Sequence, residues 1–102
     1  MGKYIFDQFV YLHFAAGIVA YFFGIKLPIW ILLHTMFELA ENTNIGMTII
    51  NKYMTFWPGG KPYADTDINM IGDTIGTLIG WLSAYYLDTI GAKMNWYEKH
   101  DV

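Results

Sequence analysis

Between Asp65 and Asp88 the chain reads DTDINMIGDTIGTLIGWLSAYYLD, a helical pattern long enough to cross a bilayer whose first half nonetheless carries Asp65, Asp67, Asn69 and Asp73. At roughly 100° per residue, Asp65, Asn69, Gly72, Asp73, Gly76 and Gly80 fall on one face. Gly72, Gly76 and Gly80 repeat every four residues, the small-xxx-small (GxxxG) spacing that lets a second helix approach closely. Any fold of this chain has to seat a neighbour on that face, and the neighbour meets Asp73 there.

The rest of the chain is unusually apolar. Apolar residues make up 55% of its 102 residues and charged ones only 15%, and no formal charge occurs from Gln8 to Ile25 or from Leu27 to Phe37. A single short domain has difficulty burying that much apolar surface in a core of its own. The pattern therefore predicts an all-α polytopic membrane protein, a single membrane domain over 1–102, placed in a cell inner membrane or its equivalent. Its three transmembrane helices would cover about 4–24, 28–42 and 66–88. A short interfacial or re-entrant helix would cover 45–57, and a polar tail 91–102. Pro28 suits the first turn of the second helix, Pro58-Gly59-Gly60-Lys61-Pro62 reads as a loop, and Thr66 or Asp65 supplies the N-cap of the third helix. Trp30, Trp57, Trp81 and Trp96 read as interface anchors. The six lysines divide evenly between the two sides, so the orientation stays open. The expected partners are the lipid bilayer and, because three spans bury little alone, further copies of the chain or a larger membrane complex. A net charge of −3 excludes a basic nucleic-acid footprint, and the absence of cysteine excludes a disulfide framework or a thiolate metal site.

The second helical segment contains HTMFELAEN, in which His34, Glu38 and Glu41 lie within roughly 60° of one another on a helical wheel. In the first segment His13, Ala16, Gly17, Ala20 and Gly24 share a narrow face. Alternating helix directions bring the start of the first helix, the end of the second and the start of the third to one end. The expectation is a one-sided polar pocket containing His13, His34, Glu38 and Asp73, with Asp7, Glu41, Asn42, Asp65 and Asn69 nearer its mouth. Gly17, Gly72, Gly76 and Gly80 would close the rest by helix packing. Three readings of that pocket compete: hydrogen bonds that only set helix register, a divalent cation held by His13, His34, Glu38 and Asp73, and an oligomeric proton or cation conduit. A structural or accessory subunit with no chemistry of its own is the plain alternative. Imidazole with carboxylate suits zinc, iron or manganese. A metal with an open position would activate water, with Glu38 or Glu41 as base, but no nucleophile motif accompanies it: Ser83 is the only serine and lies in the apolar half. His100, in the tail, reads as solvated.

Three separated segments also resemble an uncharacterised family of small bacterial inner-membrane proteins, known as a domain of unknown function and related to the VanZ-like membrane proteins. Asp7, His13 and Gly17 match its first motif, with Ala16 where the family usually has a second histidine. Phe37, Glu38, Glu41 and Asn42 match a W-E-x-x-E-N run, with Phe in place of Trp. Ala64, Asp65, Thr66, Asn69 and Asp73 match a G-D-S-x-x-N-x-x-x-D run, with Ala for Gly and Thr for Ser. The resemblance implies a compact polytopic membrane fold in which these polar residues belong together, and it implies no activity.

Overall fold

The computed structural model describes residues 2–58 and 60–100 and contains four helices: α1 (Val10–Phe22), α2 (Leu27–Glu41), α3 (Asn44–Tyr53) and α4 (Asp67–Lys93). Gly59 of the expected loop and Asp101 and Val102 of the expected tail lie outside the described residues. Each helix boundary has a local cause. Ahead of α1, the Asp7 carboxylate accepts the N–H groups of Phe9 at 3.0 Å and Gly2 at 2.9 Å, which holds the preceding residues in turns. Gly24, at φ 78°, ends α1. Its N–H donates to the Tyr21 carbonyl at 3.0 Å and that of Ile25 to Ala20 at 3.1 Å, the paired bonds of a left-handed glycine terminus. Extended Lys26 and Pro28 start α2. The hydroxyls of Thr43 and Thr66 cap α3 and α4 by accepting from the N–H groups of Gly46 and Asn69. Asn95, at φ 61°, closes α4 as Gly24 closes α1.

The long helix α4 is the axis of the fold. Helix α1 and the segment ahead of it run alongside α4 with backbones in contact: a Cβ at Gly72 would overlap the carbonyl of Ile5 in that segment, one at Gly80 the Phe14 carbonyl, and one at Gly17 the Thr77 carbonyl. Gly76 faces the Val10 side chain. Helix α2 lies antiparallel across the pair and is fastened by tryptophans: Trp30 donates its indole N–H to Thr77 Oγ1 at 3.0 Å, and Trp81 donates to the Ile25 carbonyl at 2.9 Å. The apolar core is small, formed by Ala20, Tyr21, Trp81 and Ala84. At its far end the buried Asp88 carboxylate accepts from the Tyr21 hydroxyl and from the His100 N–H.

Several expectations are corrected here. Among the described residues no helix is long and apolar enough to cross a membrane. The 13 residues of α1 and 15 of α2 span about 20 and 22 Å, short of a hydrocarbon core of about 30 Å. Helix α4 has the length, with 27 residues, but Asp73 and Asp88 interrupt its apolar run and it is not apolar enough to cross. The polytopic fold, the inner-membrane location and the transmembrane character implied by the VanZ-like resemblance are therefore withdrawn. The physical reason is visible at Asp7: hydropathy treats the uncharged stretch as one continuous span, whereas the Asp7 carboxylate holds the Phe9 N–H in a turn and α1 starts only at Val10. Trp30 and Trp81 tie helices together instead of anchoring an interface. His100 packs its ring 5.8 Å from Tyr21 and 5.4 Å from Phe22 instead of standing free in solvent.

Candidate metal centre

The helix directions bring three sets of side chains to one place. From α1, His13 places Nδ1 2.8 Å from Nε2 of His34 on α2, with the two rings edge to face. On its other side His13 Nε2 lies 3.2 Å from Asp73 Oδ2 on α4. Glu38, one helical turn beyond His34, completes a group of three whose ligand atoms lie within 4.8 Å of one another: His13, His34 and Glu38. Asp73 stands behind His13 and is not part of that group. Backbone contact at Gly17 and Gly80 is what lets α1 come this close to α4.

The chemistry of the cluster follows from its burial. His34 is 4% exposed, and Glu38 and Asp73 are each 2% exposed. Both carboxylate oxygens of Glu38, Oδ1 of Asp73 and Nδ1 of His34 are buried without a hydrogen-bond partner. Buried polar atoms normally have partners; here the acids meet chiefly one another, Glu38 against Asp73 and Glu41, so a proton or a cation has to lie between them. Burial drives Glu38 up to about 9, and the abutting Asp73 carboxyl and the Glu41 charge add to the effect. Asp73 and Glu41 are also raised by burial; Glu38 and His13 oppose this at Asp73, as Lys61 and Glu38 do at Glu41. Burial lowers His34 to about 4, reinforced by neighbouring His13. His13 is lowered by the same cause, against the pull of Asp73. With both imidazoles neutral and the acids crowded together, the unpaired acceptors call for a proton or a cation.

The supporting residues separate into two kinds. Asp7 and Asn69 staple the N-terminal segment to α4: the Asn69 carboxamide N–H donates to the Tyr4 carbonyl at 2.7 Å and to Asp7 at 3.2 Å. Burial raises the Asp7 pKa, but the N–H groups of Gly2 and Phe9 and the Asn69 carboxamide outweigh it and leave the carboxyl below its ordinary value. Asn42 joins two elements of the pocket, its Nδ2 donating to the Glu38 carbonyl at 2.7 Å while its Oδ1 accepts from the Asp65 N–H at 2.8 Å. Asp65 and Glu41 meet Lys61, whose ammonium lies 2.6 Å from Asp65 and 3.8 Å from Glu41. Lys61 is the residue that sequence reasoning placed in a turn and left out of the pocket, although its four-residue spacing from Asp65 was a usable signal.

A cavity of about 390 Å³ opens beside the cluster. Phe9, Leu12, Leu33, Phe37 and Trp57 form its apolar wall, and His13, His34, Glu41, Lys61, Asp65 and Asp73 form its polar end. Trp57 lines this space with its ring 5.8 Å from Phe37, so it too has a place inside the fold. Compared with known proteins, the chain matches no family model, no curated protein and no solved structure. The functional reading therefore rests on the geometry of these side chains.

Proposed function

We propose that this protein binds a divalent transition-metal ion through His13, His34 and Glu38, with the remaining coordination positions turned towards the cavity. The observation that carries the reading is the Glu38 carboxyl, buried against the acids Asp73 and Glu41 with no N–H donor on either oxygen, beside two imidazoles whose facing nitrogens are 2.8 Å apart. Donor atoms on one metal at 2.0–2.2 Å lie about 3 Å from their neighbours, so the imidazole pair needs little movement to share an ion. Two histidines and one carboxylate on one side of a metal leave sites open and suit iron, manganese or zinc. In this reading Asp73 is a positioning residue. It accepts from His13 Nε2–H and so leaves Nδ1 as the ligating atom, the arrangement in which a carboxylate orients a metal-bound histidine.

The test is metal analysis of the purified chain, followed by titration of chelator-stripped protein with zinc and manganese. One ion per chain is expected in the wild type, and none at micromolar concentration in His34→Ala or Glu38→Gln. A wild type that takes up no metal at neutral pH removes the proposal.

A further inference from the structure

Glu38 belongs to two groups of potential ligands at once. With His13 and His34 it forms the centre described above, and with Glu41 and Asp65 it forms a second group whose carboxylate oxygens also lie within 4.8 Å of one another. The second group contains only oxygen donors, the chemistry of a hard divalent cation. A positive charge already stands there. The Lys61 ammonium contacts Asp65 at 2.6 Å and Glu41 at 3.8 Å, and the residue is 7% exposed.

The backbone holds that ammonium in place. The Lys61 N–H donates to Asn51 Oδ1 at 2.8 Å, and the Lys61 carbonyl accepts from Asn51 Nδ2. Asp65 is fixed from the other side by Asn42, which also holds the Glu38 carbonyl. Lysine and acids thus meet on anchored backbone from α2, α3 and the segment before α4. A flexible surface ion pair has no such anchoring. We infer that Lys61 is the resident cation of a second metal position, so that the protein is a one-metal centre whose neighbouring position is filled by its own side chain. Glu38 is the carboxylate the two positions share. Replacing the ammonium with a neutral group would turn the site into a two-metal centre, with the first ion on the imidazole side and the second among Glu38, Glu41 and Asp65. This inference rests on the metal-binding reading above.

Chelator-stripped wild type, Lys61→Met and Lys61→Gln are loaded with Mn²⁺, which accepts both donor sets. Metal per chain is counted, and the electron paramagnetic resonance spectrum is recorded. The expected result is one ion with an isolated Mn²⁺ signal in the wild type, and two ions with a spin-coupled signal in the variants. One ion in both wild type and variants overturns the inference and leaves the single-metal reading standing. Two ions in the wild type overturn it as well, because the ammonium then does not hold the position. No ion in the wild type removes the reading beneath it. If the variants fail to fold without metal, recovery of the helical signal by two Mn²⁺ per chain supports the inference, and failure to recover counts against it.

Discussion

Nδ1 of His13 and Nε2 of His34 meet at 2.8 Å although the two residues are 21 positions apart and on different helices. With neutral rings, one N–H bridges the pair. An ion taken between these nitrogens shifts that proton to Nδ1 of the same His34 ring, and Glu38 gives up its own proton when its carboxyl becomes a ligand. Calorimetric zinc titrations in buffers of different ionisation enthalpy should therefore show proton release on binding. Affinity should rise as the pH is raised from 6 to 8. Binding that is independent of pH would contradict the assigned ligands.

Asp73 offers a way to separate ligand from support. Asp73→Asn keeps a side chain of the same shape beside His13 Nε2 but removes its charge. Metal stoichiometry should stay at one per chain while affinity falls by about 10- to 100-fold, the usual effect of losing the carboxylate behind a ligating histidine. Competition against a chromophoric chelator measures both quantities. Complete loss of binding would make Asp73 a ligand, as its place on the α4 face first suggested.

Without metal, stability should depend on pH through the same groups. Glu38 is raised to about 9 in the fold from an unfolded value near 4.5, so the native state holds more protons than the unfolded one between these limits. Its contribution is fully present below pH 4.5 and is lost as the pH rises towards 9. His34, lowered to about 4 from 6.5, acts in the opposite direction, but only between pH 4 and 6.5. Above pH 6.5 Glu38 acts without that opposition, and the Tm of the stripped protein should fall up to pH 9. Glu38→Gln should flatten the decline, and a Tm that rises over this interval would refute the assignment.

The glycine face predicts a graded response to added methyl groups. At Gly80 a Cβ meets the Phe14 backbone carbonyl, which moves only if α1 moves. At Gly76 it meets the end of the Val10 side chain, 2.6 Å away, and that group can rotate. Gly80→Ala should destabilise by about 1–3 kcal/mol, as overpacking does, and Gly76→Ala by less. Urea denaturation gives both values, and equal costs would count against backbone contact at Gly80.

Much of this arrangement was legible in the chain. Glycines spaced by four marked where α1 would lie, Pro28 and Thr66 marked helix starts, and the wheel positions of His34 and Glu38 put both on one side of α2. Three things were not legible. Helix α1 is shorter than its apolar stretch because Asp7 binds the Phe9 N–H, a choice made by one side chain that hydropathy does not register. Lys61 enters the pocket because Asn51, ten residues earlier, grips both sides of its peptide backbone. The indole partners of Trp30 and Trp81 lie 47 and 56 residues away, beyond any local pattern. The apolar composition was the most misleading signal, since it pointed to lipid, while many large apolar side chains, Tyr11 and Phe23 among them, lie on the surface of this fold.

The contact of α1 and the segment leading into it with α4 acts as a mechanical detent. Ile5 and Phe14 sit with their carbonyls over Gly72 and Gly80, and a slip of one helical turn would carry His13 about 5.4 Å along the axis, out of reach of both His34 and Asp73. The notches that hold the two rods in register thereby also gauge the distance between the donor atoms. If an ion enters such a centre, its ligands are already in place, and far-ultraviolet circular dichroism of the wild type is expected to stay unchanged on loading.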